Sequence, residues 1–148
     1  KLRLMGYGEQ EAELRQLVEE FGLGEQVVFE GVADSQQVFQ AMRESLCLIL
    51  PSIEEQFGLV VIEALACGLP VLVSSNAGAV DGLLDNGVNG WVIDPYRSAS
   101  LEAAMAILDR DEEVWSQASL AALQSADRGD ASHFANAVRA LISGERPN

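Results

Sequence analysis

Short apolar segments alternate with longer amphipathic ones over the first 95 residues of the chain. Five of the apolar segments predict β-strands, because each is too short for a helix and is bounded by Gly, Pro or polar residues; they lie at residues 2–5, 27–29, 46–50, 71–73 and 91–93. Between them, apolar residues recur at three- and four-residue spacing, which predicts helices at 9–21, from Asp34 or Ser35 onward, at 58–67 and at 78–85.

The last part of the chain shows helical spacing only. Beyond Pro95 the pattern predicts helices at 99–109, 112–126 and 131–143. The strands are continuously apolar rather than alternating, which is typical of a parallel sheet covered by helices on both faces. We therefore predict a single α/β domain: a Rossmann-like, doubly wound parallel sheet over residues 1–95 with an all-helical C-terminal tail over residues 96–148.

The chain is strongly acidic: in 148 residues, 9 Lys and Arg oppose 23 Asp and Glu, for a formal net charge of −14. Such a field repels phosphate backbones and anionic lipid headgroups, which disfavours nucleic-acid or membrane-surface binding through a basic patch. No apolar run approaches the roughly 18 residues of a transmembrane helix, and no signal-peptide pattern is present. Cys47 and Cys67 lie in apolar runs, which predicts buried free thiols and a cytoplasmic protein.

Gly6 and Gly8, in the turn between the first strand and the first helix, suggest a dinucleotide-binding fingerprint. That fingerprint needs Gly or Ala where Glu11 stands, because the helix must pack closely on the strand. Glu9 and Glu11 also occupy the predicted first helical turn, where they complement the helix dipole and would repel a pyrophosphate. A tight turn followed by an acidic helix start explains the pattern better than an NAD site does.

The most informative stretch is residues 51–71, which follow the carboxyl end of a predicted buried strand, where open α/β sheets bind ligands. Glu63 is flanked by apolar residues three and four positions away in both directions, so its carboxylate is predicted to lie on an apolar helix stripe. A buried carboxylate needs donors, and no Lys or Arg occurs between Arg43 and Arg97. The hydroxyl groups of a ribose would supply them; backbone N–H groups or a distant Arg are the structural alternative.

Two further features of this stretch suit a phosphorylated ligand. Glu55 precedes the helix and is free to point into the cleft, although a solvated loop acid is the simpler explanation of it. The first N–H groups of the helix, at residues 57–60, have no intrahelical acceptors, and Gly58 lets another group approach the backbone closely. Between Arg43 and Arg97 the charge is 0 − 7 = −7, so backbone dipoles, and not basic side chains, would hold a diphosphate here.

The two glutamates stand in the sequence Pro-Ser-x-x-Glu-x-Phe-Gly-Leu-x-x-x-Glu-Ala-x-Ala-Cys-Gly-x-Pro-Val, with seven residues between Glu55 and Glu63. This long and specific pattern resembles the signature of retaining, family-4-like (group 1) glycosyltransferases of the two-Rossmann-domain GT-B architecture. Further similarity lies in residues 2–8, 28–31 and 86–92, so that the resemblance covers residues 1 to about 143.

The resemblance implies the C-terminal, donor-binding half of an enzyme that uses a nucleotide-diphospho-sugar. It implies that Glu55 is the catalytic residue, in contact with hydroxyls of the donor sugar, and that Glu63 binds the ribose. The further donor-binding residues are Gln56 and, for the diphosphate, Phe57, Gly58, Leu59 and Val60, with Phe29 and Gly31 near the base. No metal or other cofactor is implied, and the single His133, on a predicted helix near Phe134, is typical of a packing or surface residue.

The sequence departs from the family pattern in two ways. Asp81 stands where the family usually has the Glu of a Gly-Gly-x-Pro-Glu motif, which here reads Ala-Gly-Ala-Val-Asp. The family's first C-domain strand, with an Arg and a Lys that meet the donor phosphates, has no counterpart, and neither has its N-terminal acceptor-binding domain. We therefore expect a fragment that is catalytically silent by itself and that contacts membranes, if at all, only through the absent domain.

The missing strand would be the central one in the sheet order 3-2-1-4-5-6. We therefore predict five strands in this chain, with the family's second strand paired directly to its fourth or with another segment filling the gap. Two other functions stay open: an inactive nucleotide-binding or interaction module, and a sugar-nucleotide epimerase of the same architecture.

Overall fold

The computed structural model describes residues 1–130 together with residues 132, 139 and 142. The five predicted strands are all present: β1 (Leu2–Met5), β2 (Val27–Gly31), β3 (Leu48–Leu50), β4 (Val71–Ser74) and β5 (Gly90–Ile93). The helices of the described part are α1 (Glu11–Glu20), α2 (Ser35–Arg43), α3 (Leu59–Ala66), α4 (Ala79–Gly82), α5 (Ser98–Arg110) and α6 (Glu112–Ser125), followed by a 3₁₀ turn at Ala126–Gly129. His133 and most of the helix predicted at 131–143 lie outside the described residues. None of these helices has the length and apolar character needed to cross a bilayer.

Two elements, β3 and α1, begin two residues later than predicted, each for a local reason. Strand β3 begins at Leu48, because pairing with the neighbouring segment starts there: the Leu48 N–H donates to the Pro70 carbonyl at 3.0 Å. Helix α1 begins at Glu11, because the two residues before it form a turn in which the Glu11 N–H donates to the Gly8 carbonyl at 3.1 Å.

The side chain of Asn89 ends α4 and ties it to α6. It is fully buried, and its amide nitrogen donates to the Leu83 carbonyl and to Ser125 Oγ, each at 2.8 Å. Its Oδ1 accepts the N–H of Asp85, also at 2.8 Å. Because Asn89 takes these backbone groups out of the helical ladder, α4 stops at Gly82 although the pattern predicts a helix to residue 85.

The strands form two parallel sheets, one with the order β1-β2 and the other with the order β3-β4-β5. The expectation of five strands in a parallel, Rossmann-like α/β architecture is confirmed for the described residues. Direct pairing of the family's second strand with its fourth is not found, because β1 is not paired with β3, and among the described residues no other segment joins the two sheets. The described part of the chain contains no sixth strand that could do so.

The chain forms two compact units, residues 1–41 and residues 42–148. In the second unit, the central strand β4 is buried along its whole length. A core cluster joins the sheet to α5; it consists of Leu72, Ile93, Ala104 and Leu108, with Trp91 and Trp115 packed against it. The burial of these apolar side chains holds β4 in the unit.

The first unit is held by polar contacts as well as by its two-stranded sheet. Arg3 of β1 and Glu30 of β2 form a bidentate ion pair across the strands, with Nη2 and Oε2 3.1 Å apart. The guanidinium carbon of Arg15, on α1, lies 4.2 Å from the centroid of the Phe29 ring in a cation–π contact. Helix α1 has no fully buried residue, so the contact of Arg15 with Phe29 matters more to it than core burial does.

Helix α2 begins with a reciprocal capping arrangement at one of the two predicted cap residues. The Gln37 N–H donates to Asp34 Oδ1, and the Asp34 N–H donates to Gln37 Oε1, each at 2.9 Å. Two backbone donors at the helix start are thereby satisfied, as in a capping box. Asp34 is therefore the cap, and Ser35 is the first residue of the helix.

Helix α6 and the 3₁₀ turn after it pack against α3. Ser119 Oγ donates to the Gly68 carbonyl at 2.7 Å, just beyond the end of α3. A Cβ on Gly68 would come within 3.1 Å of Leu123 Cγ, and one on Gly129 within 2.6 Å of Ile62 Cγ2. Helix α6 and the 3₁₀ turn therefore belong to the packed unit that holds α3 in place.

Cys47 and Cys67 carry free thiols, as predicted, but both are half-buried rather than fully buried. Burial raises the pKa of the Cys47 thiol from 9.0 to about 11. Burial also raises the pKa of Cys67; the charge of Arg43 lowers it, and that of Glu63 raises it further.

The shift at Cys47 predicts that the protein loses stability in alkaline solution. The Cys47 thiol loses its proton near pH 9 in the unfolded chain and near pH 11 in the folded protein. Its contribution to the free energy of unfolding is therefore complete below pH 9 and is lost as the pH rises through 11. Urea unfolding across this range should show a steeper fall of the unfolding free energy for the wild type than for Cys47→Ala. Equal slopes for the two proteins would contradict the prediction.

Candidate functional site

The loop after β3 lies at the carboxyl end of the parallel strands, as predicted. This segment, the Glu55 loop (residues 51–58), leads into α3. Three hydrogen bonds join it to the segment that follows β4: Asn76 Nδ2 donates to the Ile53 carbonyl (2.7 Å), Gly78 N to the Glu55 carbonyl (3.2 Å) and Ala79 N to the Phe57 carbonyl (2.8 Å). Because β3 and β4 are parallel neighbours, both segments leave the same edge of the sheet, and the second braces the first.

Gly78 allows this close approach. A Cβ built on it would lie 2.1 Å from the carbonyl oxygen of Gln56. Its φ of −62° is open to any residue, so glycine is required here for space alone. Sequence reasoning treated Gly78 only as part of a departure from a family pattern and missed this contact. The available signal was a run of small residues, 77–79, directly after a buried strand.

Gly58 shapes the entry into α3 by both its conformation and its size. Its φ is +91°, in the left-handed region that side chains rarely adopt. A Cβ there would also lie 3.0 Å from Leu50 Cδ2, at the end of β3. The turn therefore brings the first residues of α3 directly against the strand end.

Glu55 is half-buried, and its carboxylate points toward the start of α3. Its Oε1 accepts the Phe57 N–H at 3.3 Å, so one of the N–H groups predicted to hold a diphosphate already has an acceptor within the loop. Within the described residues, the N–H groups of Gly58, Leu59 and Val60 have no protein acceptor. An anion arriving at this helix end would therefore find three free backbone donors beside an acidic side chain.

Glu63 is exposed, and the expectation that its carboxylate is buried on an apolar stripe is wrong. The buried face of α3 carries Val61, Ala64 and Leu65 instead, whereas Leu59, four residues before Glu63, is 68% exposed. Helix α3 is apolar on nearly every side, so its sequence does not reveal which stripe faces the core. The carboxylate has no hydrogen-bond partner within the described residues, and it can accept bonds from a ligand at little desolvation cost.

Phe29 and Gly31, predicted to lie near the base, belong to the first compact unit. Phe29 borders an open cavity of about 510 Å³ that the Gly6–Gly8 turn also lines, and Arg15 covers its ring. The Gly31 carbonyl accepts the Gly6 N–H at 2.7 Å. The structure thus gathers residues 55–63 around one loop and helix start, and it places Phe29 and Gly31 on β2, in the other unit.

Within the part of the chain that the structure describes, no three His, Cys, Asp or Glu side chains converge on a point that could hold a metal ion. The single His133 lies outside that part. The expectation that the site needs no metal or other cofactor stays a prediction.

A Rossmann-like α/β fold with a glutamate-bearing loop and helix start at the carboxyl ends of its parallel strands defines a domain of the GT-B glycosyltransferase class. The family described as "Glycosyl transferases group 1" matches residues 1–123. The chain therefore belongs to that family, as its glutamate motif predicted.

Individual relatives agree with this assignment. HepE from Anabaena, solved in complex with UDP, is similar over 96% of this chain, with a TM-score of 0.84 and 28% identity. D-inositol 3-phosphate glycosyltransferase from Mycolicibacterium smegmatis is 30% identical over 131 residues, or 88% of this chain. Sucrose-phosphate synthase from Spinacia oleracea is 42% identical over 71 residues, or 47% of this chain. The chain spans only 40%, 29% and 6% of the lengths of these three proteins, respectively.

Proposed function

We propose that this chain is the nucleotide-sugar-binding part of a glycosyltransferase that moves a sugar from a nucleotide-diphospho-sugar to an acceptor bound by another domain. The observation that carries this proposal is the likeness to HepE, which has been solved with UDP and with UDP-glucose and is similar over 96% of this chain. Membership of group 1 favours transfer over an inactive interaction module or a sugar-nucleotide epimerase.

In this proposal Glu63 accepts hydrogen bonds from the ribose hydroxyls, for which its exposed and unpartnered carboxylate is available. The free N–H groups of Gly58, Leu59 and Val60 hold the diphosphate, and Glu55 contacts the sugar. Gln56 and Phe57 complete the loop around the donor, and Phe29 and Gly31 border the base. Asp81, at the surface of α4, takes the place of a longer acid beside the loop.

The proposed reaction breaks the bond between the sugar's anomeric carbon and the diphosphate oxygen and forms a bond to an acceptor hydroxyl oxygen with retention of configuration, and the hydroxyl proton passes to the departing diphosphate. The departing nucleoside diphosphate gains charge, and the first N–H groups of α3 stabilise it. No Lys or Arg lies between Arg43 and Arg97 in sequence, so further cationic groups must come from elsewhere in the protein. The free thiols of Cys47 and Cys67 support a reducing, cytoplasmic setting.

Replacement of Glu63 by glutamine tests the ribose contact. The neutral amide keeps the size of the side chain but loses the charge that strengthens hydrogen bonds from hydroxyl groups, so nucleotide affinity should fall about tenfold. Titration calorimetry with UDP, GDP and ADP measures the affinity for whichever of the three the wild type binds best.

The control for this variant is Glu102→Gln, which neutralises another exposed helical glutamate, on α5, outside the site. It should leave both affinity and melting temperature at wild-type values. If Glu63→Gln also binds like the wild type, the ribose assignment is wrong. If the wild type binds none of the three nucleotides, the proposed function itself is contradicted.

A further inference from the structure

We propose that Asn76 is a positioning residue that fixes the amino-terminal half of the Glu55 loop and thereby sets where Glu55 meets the donor sugar. The inference rests on the proposed function, which it extends to a residue outside the glutamate motif. Asn76 follows β4, two residues beyond the buried Ser74. Its side chain bridges from the end of one strand to the loop after the neighbouring strand.

The side chain of Asn76 is itself held in place. Asn76 Nδ2 donates to the Ile53 carbonyl at 2.7 Å, across 23 residues of sequence. Its Oδ1 lies 3.4 Å from the Ser75 hydroxyl, and its own N–H donates to Ser74 Oγ at 3.1 Å. The backbone of Asn76 is therefore anchored to the end of β4, and its side-chain amide nitrogen is held on the loop.

The other bonds to the loop act further along it. Gly78 N and Ala79 N bind the carbonyls of Glu55 and Phe57, and these backbone bonds do not involve the Asn76 side chain. Ile53 is 63% exposed, so its own side chain does not anchor this part of the loop. The bond from Asn76 is the contact that fastens the residues immediately before Glu55.

Loss of the bond from Asn76 to the Ile53 carbonyl should weaken binding of the sugar and binding of the diphosphate to different extents. The diphosphate would meet the N–H groups of Gly58, Leu59 and Val60, which stay in place because Gly58 is buried and its α-carbon lies close to Leu50. Glu55, by contrast, lies two residues from the Ile53 anchor, and its carboxylate would contact the sugar. Removal of the Asn76 amide should therefore weaken binding of the sugar more than binding of the nucleotide.

The experiment compares the affinities of the whole chain for a nucleotide sugar and for the matching diphosphate. The probes are UDP-glucose with UDP, GDP-glucose with GDP and ADP-glucose with ADP, and the pair that the wild type binds is used. In Asn76→Ala, the affinity for the nucleotide sugar should fall about fivefold, in line with one lost hydrogen bond. The affinity for the diphosphate should stay within about twofold of the wild type. Asn76→Leu, which keeps the volume without the donor, should behave in the same way.

Hydrogen exchange of the amides of residues 52–55 supplies a second readout, which should become faster in both Asn76 variants. The matched control is Asn86→Ala, because Asn86 is also exposed and makes one side-chain bond to backbone, from the Val92 N–H of β5 at 2.9 Å, which does not involve the Glu55 loop. It should change neither readout.

Wild-type binding of both ligands and unchanged loop exchange in Asn76→Ala would overturn the inference while leaving the proposed function intact. Equal weakening of sugar nucleotide and diphosphate would also overturn it, because Asn76 would then act on the whole site. If the wild type binds none of the probes, the proposed function fails, and the inference fails with it.

Discussion

Replacement of Gly78 by alanine is expected to lower the free energy of unfolding by about 2–3 kcal/mol and to weaken nucleotide binding at the same time. The added Cβ would stand 2.1 Å from the Gln56 carbonyl oxygen, and a backbone oxygen cannot swing aside as the end of a side chain can. Relief requires the Glu55 loop to move away from the segment after β4, which breaks the bond from Gly78 N to the Glu55 carbonyl. Stability and site geometry thus depend on one contact.

Gly82 offers the matched control for this variant. It lies in the same short helix α4, and a Cβ on it would meet nothing within 4 Å. Gly82→Ala should therefore be neutral or more stable by a few tenths of a kcal/mol, since alanine favours helix. Urea unfolding and calorimetry with the best-bound nucleotide measure both effects. Wild-type stability in Gly78→Ala would show that the loop and the following segment are not packed this closely.

Replacement of Asn89 by alanine is expected to cost about 3 kcal/mol, because it empties a fully buried site and leaves polar groups without partners. The Leu83 carbonyl and the Asp85 N–H each lose a hydrogen bond of 2.8 Å. The Ser125 hydroxyl loses an acceptor role but still donates to the Ala121 carbonyl at 2.7 Å. The link between α4 and α6 is lost.

Comparison with Asn86→Ala separates the effect of burial on stability from the effect of hydrogen bonding. Asn86 is exposed and accepts one bond, from the Val92 N–H, so Asn86→Ala should cost at most about 1 kcal/mol. Denaturant midpoints of the two variants and the wild type measure the difference. Similar losses for both variants would contradict the role assigned to Asn89. Nucleotide affinity should not change in either, because the side-chain hydrogen bonds of both residues go to groups outside the Glu55 loop and the start of α3.

Continuous apolar strands between amphipathic helices predict most of this fold, because a strand buried on both faces needs no polar position. All five strands are found, and the Asp34 cap and the break between α5 and α6 follow from local chemistry that is visible in the sequence. The separation into two sheets was not predicted, because strand pairing depends on which edges meet in space and not on the strands themselves.

The end of α4 illustrates a different limit. Residues 78–85 have helical spacing, yet the helix stops at Gly82 because a side chain beyond it, Asn89, captures the next backbone groups. The local helix propensity of these residues is therefore overridden by tertiary hydrogen bonds. A single asparagine in a turn gives little warning in the sequence that it will be buried.

The position of the candidate site in the fold was predicted better than the environment of its side chains. Glu55 and the start of α3 lie at the carboxyl edge of the sheet as expected. Glu63 was expected to be buried but is exposed. The prediction was wrong because α3 has no polar face that shows in the sequence which side packs on the core. Asn76 and Gly78 were missed as supports, since the contacts they make span more than 20 residues of sequence.

The packing of α6 on α3 has a consequence for the order in which the chain can fold. Ser119 of α6 donates to the Gly68 carbonyl at the end of α3, across 51 residues of sequence. Helix α6, which packs on α3, is therefore synthesised long after α3 itself. Closing a loop of that length costs entropy before any contact repays it. On the ribosome, α3 can form with β3 and β4, but it reaches its final packing only when the tail has emerged.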